Sequence, residues 1–199
     1  MDDEAGEVMG SIVLNMSVSL DGYSAGPGVA VERPMGEGGE RLHEWLFTGD
    51  SEVDARVARE LSDSTGAVVV GRRTFDVGVD LWQDTPFPVP CFVLTHEPRE
   101  RLPMKSAAFT FVTDGVGRAL EQARAAAAGK NVLIMGGAHT AQQFLSAGLV
   151  DEVQIQLVPV LLGAGVRLFD RLGTQHIELE RTRLLASEQV THLRFRVRK

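Results

Sequence analysis

Short runs of aliphatic and β-branched residues alternate along the chain with segments of helical pattern. Ala67–Val70 and Val132–Met135 are uniformly apolar, which is typical of strands buried on both faces. Further predicted strands are Ser11–Ser19, Val89–Thr95, Phe109–Thr113 and Val153–Val158, and the predicted helices are Glu40–Phe47, Ser51–Leu61, Val116–Ala128 and Thr140–Ala147. This alternation predicts an α/β fold with a mainly parallel central sheet and helices on both faces.

The two ends of the chain and one glycine-rich segment depart from this alternation. Ile177–Leu185 and Val190–Val197 predict an antiparallel C-terminal hairpin, and Gly26–Gly39 predicts a long loop of the kind that often forms a lid. Residues 1–9 are expected to be a flexible leader. Residues 10–199 are then expected to form a single domain, because this length suits one large core.

Composition narrows the possible partners. Hydrophobic residues make up 44% of the 199 residues, and no apolar run approaches the length of a membrane span. A net charge of −7 argues against a general nucleic-acid surface, and no spacing of ligands predicts a metal site. The acidic start argues against a targeting peptide and favours a cytoplasmic protein. The single cysteine, Cys91, excludes an intramolecular disulfide and is predicted to be a buried apolar residue.

Two of the buried strands run directly into glycine turns that precede predicted helices. Gly71 follows the first strand, and the pair Gly136-Gly137 follows the second. Glycine allows close approach of the backbone to a ligand, and a helix start offers free N–H groups and a positive dipole end. Two such turns in one domain suit the two ends of a dinucleotide. For Gly136 and Gly137 the alternative is that they only permit tight packing between strand and helix.

Polar residues beside these turns have both a functional and a structural interpretation. Arg72 and Arg73 follow Gly71, where guanidinium groups suit phosphate oxygens, although both also fit a solvated surface. His96 and His139 each follow a strand end, where α/β proteins bind ligands, and each also fits an ordinary loop. His192 lies in the C-terminal hairpin and is expected at the surface.

The segment after strand one holds the candidates for the substrate side. Asp21 ends that strand and is either a turn-forming residue or a catalytic one. Glu44 and Trp45 lie on the helix after the glycine-rich loop. Trp45 is either a core aromatic or part of a wall that contacts the substrate.

Several segments together resemble a known fold family. Three of them resemble, in order, the NADPH-contacting segments of the dihydrofolate reductase fold: Gly71–Thr74, Leu94–His96 and Gly136–Leu145. Others resemble the reductase domain of bacterial riboflavin biosynthesis, namely Ser19–Gly22 and Leu149–Glu152, followed by Pro159, Gly163 and Gly165. The resemblance covers about residues 11–170 and implies a dihydrofolate reductase-like fold with NADPH as cofactor.

The same resemblance implies roles for individual residues. Strand one would end beside the nicotinamide, the two glycine turns would hold the phosphates, and Thr95 with His96 would meet the adenosine 2′-phosphate. The implied cofactor-binding residues are Val18, Leu20, Gly22, Gly71, Arg72, Arg73, Thr74, Leu94, Thr95, His96, Met135, Gly136, Gly137, Ala138, His139, Thr140 and Gln143. Asp21 is the implied catalytic residue, and Glu44 and Trp45 the implied substrate-binding residues.

The sequence also departs from both relatives. Riboflavin reductases usually carry an acidic residue before the paired glycines, where this chain has Met135, and the zinc deaminase partner domain is missing. Dihydrofolate reductase holds its pterin with a helix carboxylate, to which Asp54 is nearest but out of register. The segments implied to bind the cofactor therefore resemble these families more closely than the segments implied to bind the substrate.

The implied function is an NADPH-dependent oxidoreductase that transfers hydride to a C=N or C=O group. Its substrate would be a small, pterin- or pyrimidine-like heterocycle, and its activity would resemble the 5-amino-6-(5-phosphoribosylamino)uracil reductase of riboflavin biosynthesis. The proton would come from Asp21, a lid residue or ordered water. The alternative is a non-catalytic protein of the same fold that binds NADP or a pterin-like ligand. A homodimer is expected, and the apolar segment Val153–Leu162 is either part of its interface or a buried central strand.

Overall fold

The computed structural model describes residues 10–48, 51–174 and 176–199, so the expected leader 1–9 lies outside the described residues. The strands are β1 Ile12–Ser19, β2 Tyr23–Ala25, β3 Thr65–Gly71, β4 Cys91–Leu94, β5 Leu102–Pro103, β6 Ala108–Val112, β7 Asn131–Gly136, β8 Glu152–Val158, β9 Val166–Arg167, β10 Leu179–Ala186 and β11 Thr191–Val197. The helices are α1 Glu44–Phe47, which follows a 3₁₀ turn at Gly39–His43, α2 Glu52–Ser64, α3 Arg72–Trp82, α4 Gly115–Ala126 and α5 Ala138–Ser146.

Nine strands form one sheet in the order β10-β11-β8-β1-β7-β3-β4-β6-β5. The six strands from β8 to β6 are mutually parallel, whereas β11, β10 and β5 pair antiparallel at the two sides. Strands β2 and β9 form a separate antiparallel pair. The predicted α/β architecture with a mainly parallel sheet and an antiparallel C-terminal hairpin is confirmed. The short strands β2, β5 and β9 were not predicted, because two or three residues carry no readable alternation.

Helices cover both faces of the sheet, as predicted. Helices α4 and α5 pack over one face, on a cluster that includes Leu14, Val69, Ile134 and Phe144. On the other face α3 and α2 cover a second cluster around Val68, and the segment with α1 covers a third. Every residue of β3 is buried, because helices lie above and below it. Its unbroken apolar pattern follows directly from that position.

Local signals in the sequence explain several helix boundaries. The Ser51 hydroxyl accepts the Asp54 N–H at 3.2 Å, which caps the start of α2. Gly129 and Gly148 follow the ends of α4 and α5 with φ values of +80° and +66°, in the left-handed region that favours glycine. Cys91 is fully buried, as predicted, and burial raises the pKa of its thiol.

The two sides of the sheet differ in exposure. Strand β8 is central, since β1 pairs on one side and β11 on the other, and the exposed residues of the segment Val153–Leu162 are Pro159 and Leu161, which follow the strand. Strand β10 is an edge strand with exposed leucines at positions 179 and 184, and its register shifts between Arg181 and Arg183. None of the helices described is both long and apolar enough to cross a membrane.

Candidate functional site

The two predicted glycine turns lie side by side. Strands β3 and β7 are adjacent and parallel, and Val70 pairs with Gly136 at their carboxyl ends. Gly71 is the N-cap of α3 and Gly137 is the N-cap of α5. The carboxyl ends of β1, β3, β4 and β7 therefore form one rim of the sheet, called the carboxyl rim below. Ligands of open α/β sheets bind at this kind of rim.

Close packing explains why the first turn requires glycine. A methyl group on Gly71 would clash with the hydroxyl oxygen of Thr140 in α5, and Thr140 is buried. The start of α3 is thereby pressed against the start of α5. The close approach of Gly71 to Thr140 brings the two helix starts together, and a role of Gly71 in cofactor binding stays a prediction.

The second turn is held more loosely. Gly136 has φ +132°, a conformation that L-residues rarely adopt, and the Gly136-Gly137 peptide is cis. A methyl group on Gly137 would meet one neighbour, the Thr74 hydroxyl oxygen, at 3.2 Å. Neither α3 nor α5 has a side-chain cap, so the first N–H groups of both helices remain available to a ligand.

The two arginines after Gly71 have different partners. Arg72 Nε donates to Asp76 at 2.6 Å, and its Nη1 donates to Glu97 at 2.7 Å. These carboxylates, Glu97 first and then Asp76, raise the pKa of Arg72. Arg73 is exposed and donates from Nη2 to the Val29 carbonyl at 2.8 Å, which joins the start of α3 to the glycine-rich loop.

At the end of β4 the predicted residues differ in burial. Leu94 is partly buried and packs against the core. Thr95 is buried, and its hydroxyl accepts the Glu97 N–H at 3.1 Å, which shapes the turn after the strand. His96 is exposed at the rim. The geometry leaves His96 accessible to a ligand and assigns the Thr95 side chain to the turn.

Around α5 the predicted residues also divide. Met135 and Ala138 pack against the core, whereas His139 is exposed. The Gln143 amide donates to the His139 carbonyl at 3.4 Å, within its own helix. Sequence reasoning missed Gln142, which is buried and donates to the carbonyls of Arg167 and Leu168 at 3.1 and 3.0 Å. That amide fastens β9 to α5.

The end of β1 carries a network centred on Asp21. Its carboxylate accepts the Ser19 hydroxyl at 2.6 Å and the N–H groups of Leu162 and Gly163 at 3.1 and 2.8 Å. The Ser19 hydroxyl, followed by the backbone N–H groups of Gly163 and Leu162, lowers the pKa of Asp21 to about 2. A carboxylate of this kind is ionised at neutral pH. The geometry therefore favours Asp21 as an anchor of the loop after β8 over Asp21 as the proton donor.

The other predicted residues at the end of β1 surround this network. Val18 is buried beneath it, Leu20 is 63% exposed, and Gly22 has φ +86°. The Arg167 guanidinium lies over the Tyr23 ring at 4.6 Å and donates to the Asp21 carbonyl at 3.2 Å. An exposed cationic side chain therefore stands beside Gly22, a feature that the sequence did not reveal because β9 is distant in the chain.

The two predicted substrate-binding residues do not line an open pocket. Trp45 is 6% exposed, its Nε1 donates to the Ser17 hydroxyl at 3.2 Å, and its ring meets His192 edge-on at 5.0 Å. Glu44 is exposed and pairs with Arg41. Trp45 packs with Leu42, Val158 and Val190, as the core interpretation predicts, and its contact with a substrate stays a prediction.

His192 corrects another prediction. Instead of lying at the surface it is 6% exposed, and its Nε2 lies 2.7 Å from the carboxylate of the equally buried Asp54. Helix α2 covers this face of the hairpin, which a local pattern cannot show. In register, Gln156 is the cross-strand neighbour of both Ser17 and His192. Ser17, Trp45, Asp54, Gln156 and His192 are called the tryptophan cluster below.

Two polar atoms of the tryptophan cluster are buried without a hydrogen-bond partner, His192 Nδ1 and Gln156 Oε1. A cavity of about 20 Å³ lies beside His192, bounded by Gln154, Arg183 and Arg194. This volume suits a single water molecule and excludes a heterocycle. Among the described residues no group of three or more His, Cys, Asp or Glu side chains is placed to hold a metal ion.

Known proteins are similar to this chain in sequence or in fold. An uncharacterized protein of Bacillus subtilis (strain 168), YwjB, is 28% identical over 164 residues, which are 82% of this chain and 84% of that protein. A putative riboflavin biosynthesis protein from Shewanella sp. PV-4 is 25% identical, with a TM-score of 0.74 over 95% of this chain and 99% of that one.

The dihydrofolate reductase from Enterococcus faecalis, complexed with NADP(H) and RAB-propyl, shares the fold at 13% identity. Its TM-score is 0.59 over 96% of this chain and 99% of that one. These likenesses support a reductase-type fold of the dihydrofolate reductase class. The family model described as the RibD C-terminal domain matches residues 11–193, and this chain therefore belongs to the RibD C-terminal domain family.

Proposed function

We propose that this protein is an NADPH-dependent reductase that transfers hydride to a C=N or C=O group of a small heterocyclic substrate. One observation carries the proposal: two uncapped helix starts, each behind a glycine turn, meet at the carboxyl rim between β3 and β7. The end of β1 lies on the same rim, next to β7. The relatives of riboflavin biosynthesis and dihydrofolate reductase type support the same reading.

The residues present fit such a cofactor. Free N–H groups at the starts of α3 and α5 suit the pyrophosphate, and the glycine pair Gly136-Gly137 leaves room for close passage along the backbone. The exposed His96 and the half-buried Arg72, which follow β4 and β3, suit the adenosine 2′-phosphate. Bound NADPH supplies the hydride, and the protein's contribution is alignment of the two reactants.

The substrate side lies at the end of β1. Asp21 holds the segment Leu162–Gly163 against that strand end and so shapes the place where the reacting groups meet. Because Asp21 is ionised there, the proton is assigned to ordered water or to a residue of the loop Gly26–Gly39. That loop is joined to α3 through Arg73 and, as a lid, would exclude water from the site.

The second candidate is a binding protein of the same fold without turnover. A fold alone does not establish catalysis, and the tryptophan cluster closes the face where a heterocycle would otherwise lie against Trp45. In this case NADP or a pterin-like ligand would be held at the carboxyl rim without reaction.

Calorimetric titration with NADPH and NADH, followed by steady-state oxidation, separates the candidates. The reductase binds NADPH more tightly and oxidises it with at least one member of a panel of pterins, flavin precursors and carbonyl compounds. Binding of NADPH without oxidation across the panel would favour the second candidate. Absence of binding of both dinucleotides would overturn the reductase and also the assignment of NADP to the binding protein. Asp21→Asn should lower turnover more than NADPH affinity, whereas the matched change Asp170→Asn, at an exposed aspartate, should alter neither.

A further inference from the structure

The Arg72 side chain is held between two carboxylates where the adenosine end of the cofactor is proposed to bind. It is the first residue of α3, and 30% of its side chain is exposed. Its Nε is bound to Asp76 at 2.6 Å, one helical turn further along, and its Nη1 is bound to Glu97 at 2.7 Å, from the turn after β4. Arg72 is therefore not a free cation, although the sequence pattern predicts one.

Glu97 occupies this position because the turn after β4 is fixed. Its N–H donates to the hydroxyl of buried Thr95, and the Thr95 N–H donates to the Val112 carbonyl of β6. The Glu97 side chain itself is 71% exposed. The backbone of Glu97 is thus firmly placed, while its carboxylate reaches Arg72 through solvent and can be displaced.

Two other charged neighbours have different partners. Asp76 is shared between Arg72 and Arg99, whose Nη1 lies 3.6 Å from it, and it belongs to the same helix as Arg72. Arg73 faces the Val29 carbonyl of the glycine-rich loop. Glu97 is therefore the group whose removal frees Arg72 Nη1, while Nε stays bound to Asp76 within α3 and the contact of Arg73 with the loop is kept.

A phosphate and a carboxylate bind a guanidinium through the same donors. The 2′-phosphate of NADPH must displace Glu97 from Arg72 and then remain beside a negative charge. NADH presents a hydroxyl at the same place, and a carboxylate accepts a hydrogen bond from it. The Glu97 side chain therefore weakens the binding of NADPH and favours the binding of NADH.

We propose that Glu97 is a cofactor-selectivity residue that competes with the 2′-phosphate of NADPH for Arg72 and reduces the preference for NADPH over NADH. This proposal rests on the proposed function, because it assumes that a dinucleotide binds at the carboxyl rim. It assigns a role to an acidic residue for which the resemblance to reductases supplied none.

The test compares Glu97→Gln with Glu100→Gln. Both remove one negative charge from the same segment, and Glu100 is exposed and makes no ion pair in the described part of the chain. Calorimetry with NADPH and NADH, and with the fragments 2′,5′-ADP and 5′-ADP, measures the adenosine end without any turnover. Glu97→Gln should tighten NADPH and 2′,5′-ADP about fivefold, as expected for a solvent-exposed charge pair, and should leave NADH unchanged or weaker.

Glu100→Gln should change these affinities by less than about twofold, because a more distant exposed charge is screened. In the background Arg72→Gln, the gain from Glu97→Gln should fall to about twofold or less, since no guanidinium remains to be released and only the screened repulsion of an exposed charge is relieved. Equal effects of Glu97→Gln and Glu100→Gln, or an undiminished fivefold gain without Arg72, would overturn the role of Glu97 while the cofactor assignment stands. Absence of dinucleotide and fragment binding in the unaltered protein would instead overturn the proposed function on which the inference rests.

Discussion

The carboxyl rim and the tryptophan cluster lie on the same sheet but are built in opposite ways. At the rim, backbone groups and glycines meet, and the helix starts of α3 and α5 keep their N–H groups free. In the tryptophan cluster, side chains fill the space, and Trp45, His192 and Asp54 are all buried. The rim therefore offers unpaired backbone donors, whereas the side chains of the tryptophan cluster contact one another and leave no room for a ligand.

The difference follows from where each region's partners lie in the chain. Each glycine turn of the rim follows its own strand within one or two residues, and the sheet order then aligns the turns. The cluster instead joins Trp45 to Ser17 across 28 residues and His192 to Asp54 across 138. Exposed backbone at a strand end is a local property, whereas a buried side-chain cluster depends on the whole fold. The following variants test whether the two regions are separate in stability and in binding.

The largest expected effect is on the tryptophan cluster. Trp45→Ala should lower the free energy of unfolding by about 3–5 kcal/mol, because it leaves a cavity and removes the partner of the Ser17 hydroxyl. Denaturant unfolding measures this loss, and NADPH affinity of the folded fraction should stay unchanged. Phe47→Ala is the matched control, since that ring is 83% exposed on the same helix. Unchanged stability with a raised KM would return Trp45 to the substrate wall.

A smaller effect is expected at the carboxyl rim. Gly137→Val should weaken NADPH binding about 10- to 100-fold, or roughly 1.4–2.8 kcal/mol, because its side chain would occupy the path of the cofactor. The fold should survive, since Gly137 has φ −77° and a single close neighbour, the Thr74 hydroxyl oxygen. Gly136 is the poorer position for this test, because φ +132° makes any substitution there strained.

Calorimetry and thermal melting together measure the effect of Gly137→Val. The control is Gly117→Val in α4, where the added side chain meets open space. Wild-type NADPH affinity in a folded Gly137→Val protein would contradict the placement of the cofactor.

The smallest expected effect is a pH dependence of the free energy of unfolding, caused by His43 in the 3₁₀ turn before α1. Burial lowers the pKa of His43 from 6.5 to about 4, and its Nδ1 has no hydrogen-bond partner. The unfolded chain therefore binds more protons between these values, and stability should fall as pH drops from 6.5 toward 4. The loss should be roughly 1–2 kcal/mol, allowing for the partial exposure of the residue.

Urea unfolding at several pH values measures this dependence. His43→Gln should flatten it, because glutamine does not titrate, and NADPH affinity at neutral pH should remain that of the unaltered protein. An unchanged pH slope in His43→Gln would show that other groups cause the acid sensitivity.

Sequence reasoning recovered the sheet and the rim more fully than the cluster. Uniform apolar runs identified β3 and β7, and the glycines identified their turns, since both signals are local. The hairpin pattern of β11 predicted an exposed His192, and this prediction was wrong. Helix α2 covers His192 through Asp54, which lies 138 residues earlier in the chain. Arg72 was correctly placed at a helix start, but its pairing with Glu97 depends on the adjacency of β3 and β4. The sequence placed Asp21 at the end of β1. It could not reveal the two backbone N–H groups that donate to its carboxylate, because they come from the distant loop after β8.

Strand β10 has a consequence for self-association. An unpaired edge strand is a template on which a second chain can add and aggregate. The register shift between Arg181 and Arg183 interrupts that template, and the exposed Arg181 places a charge at the same point, whereas Arg183 is paired with Glu60 of α2. Two copies meeting edge to edge with two-fold symmetry would have to pair through these irregular segments, each with an exposed arginine. Edge-to-edge pairing through β10 is therefore disfavoured, although Leu184 is exposed on that strand. We accordingly expect the interface of the predicted homodimer to lie on another surface.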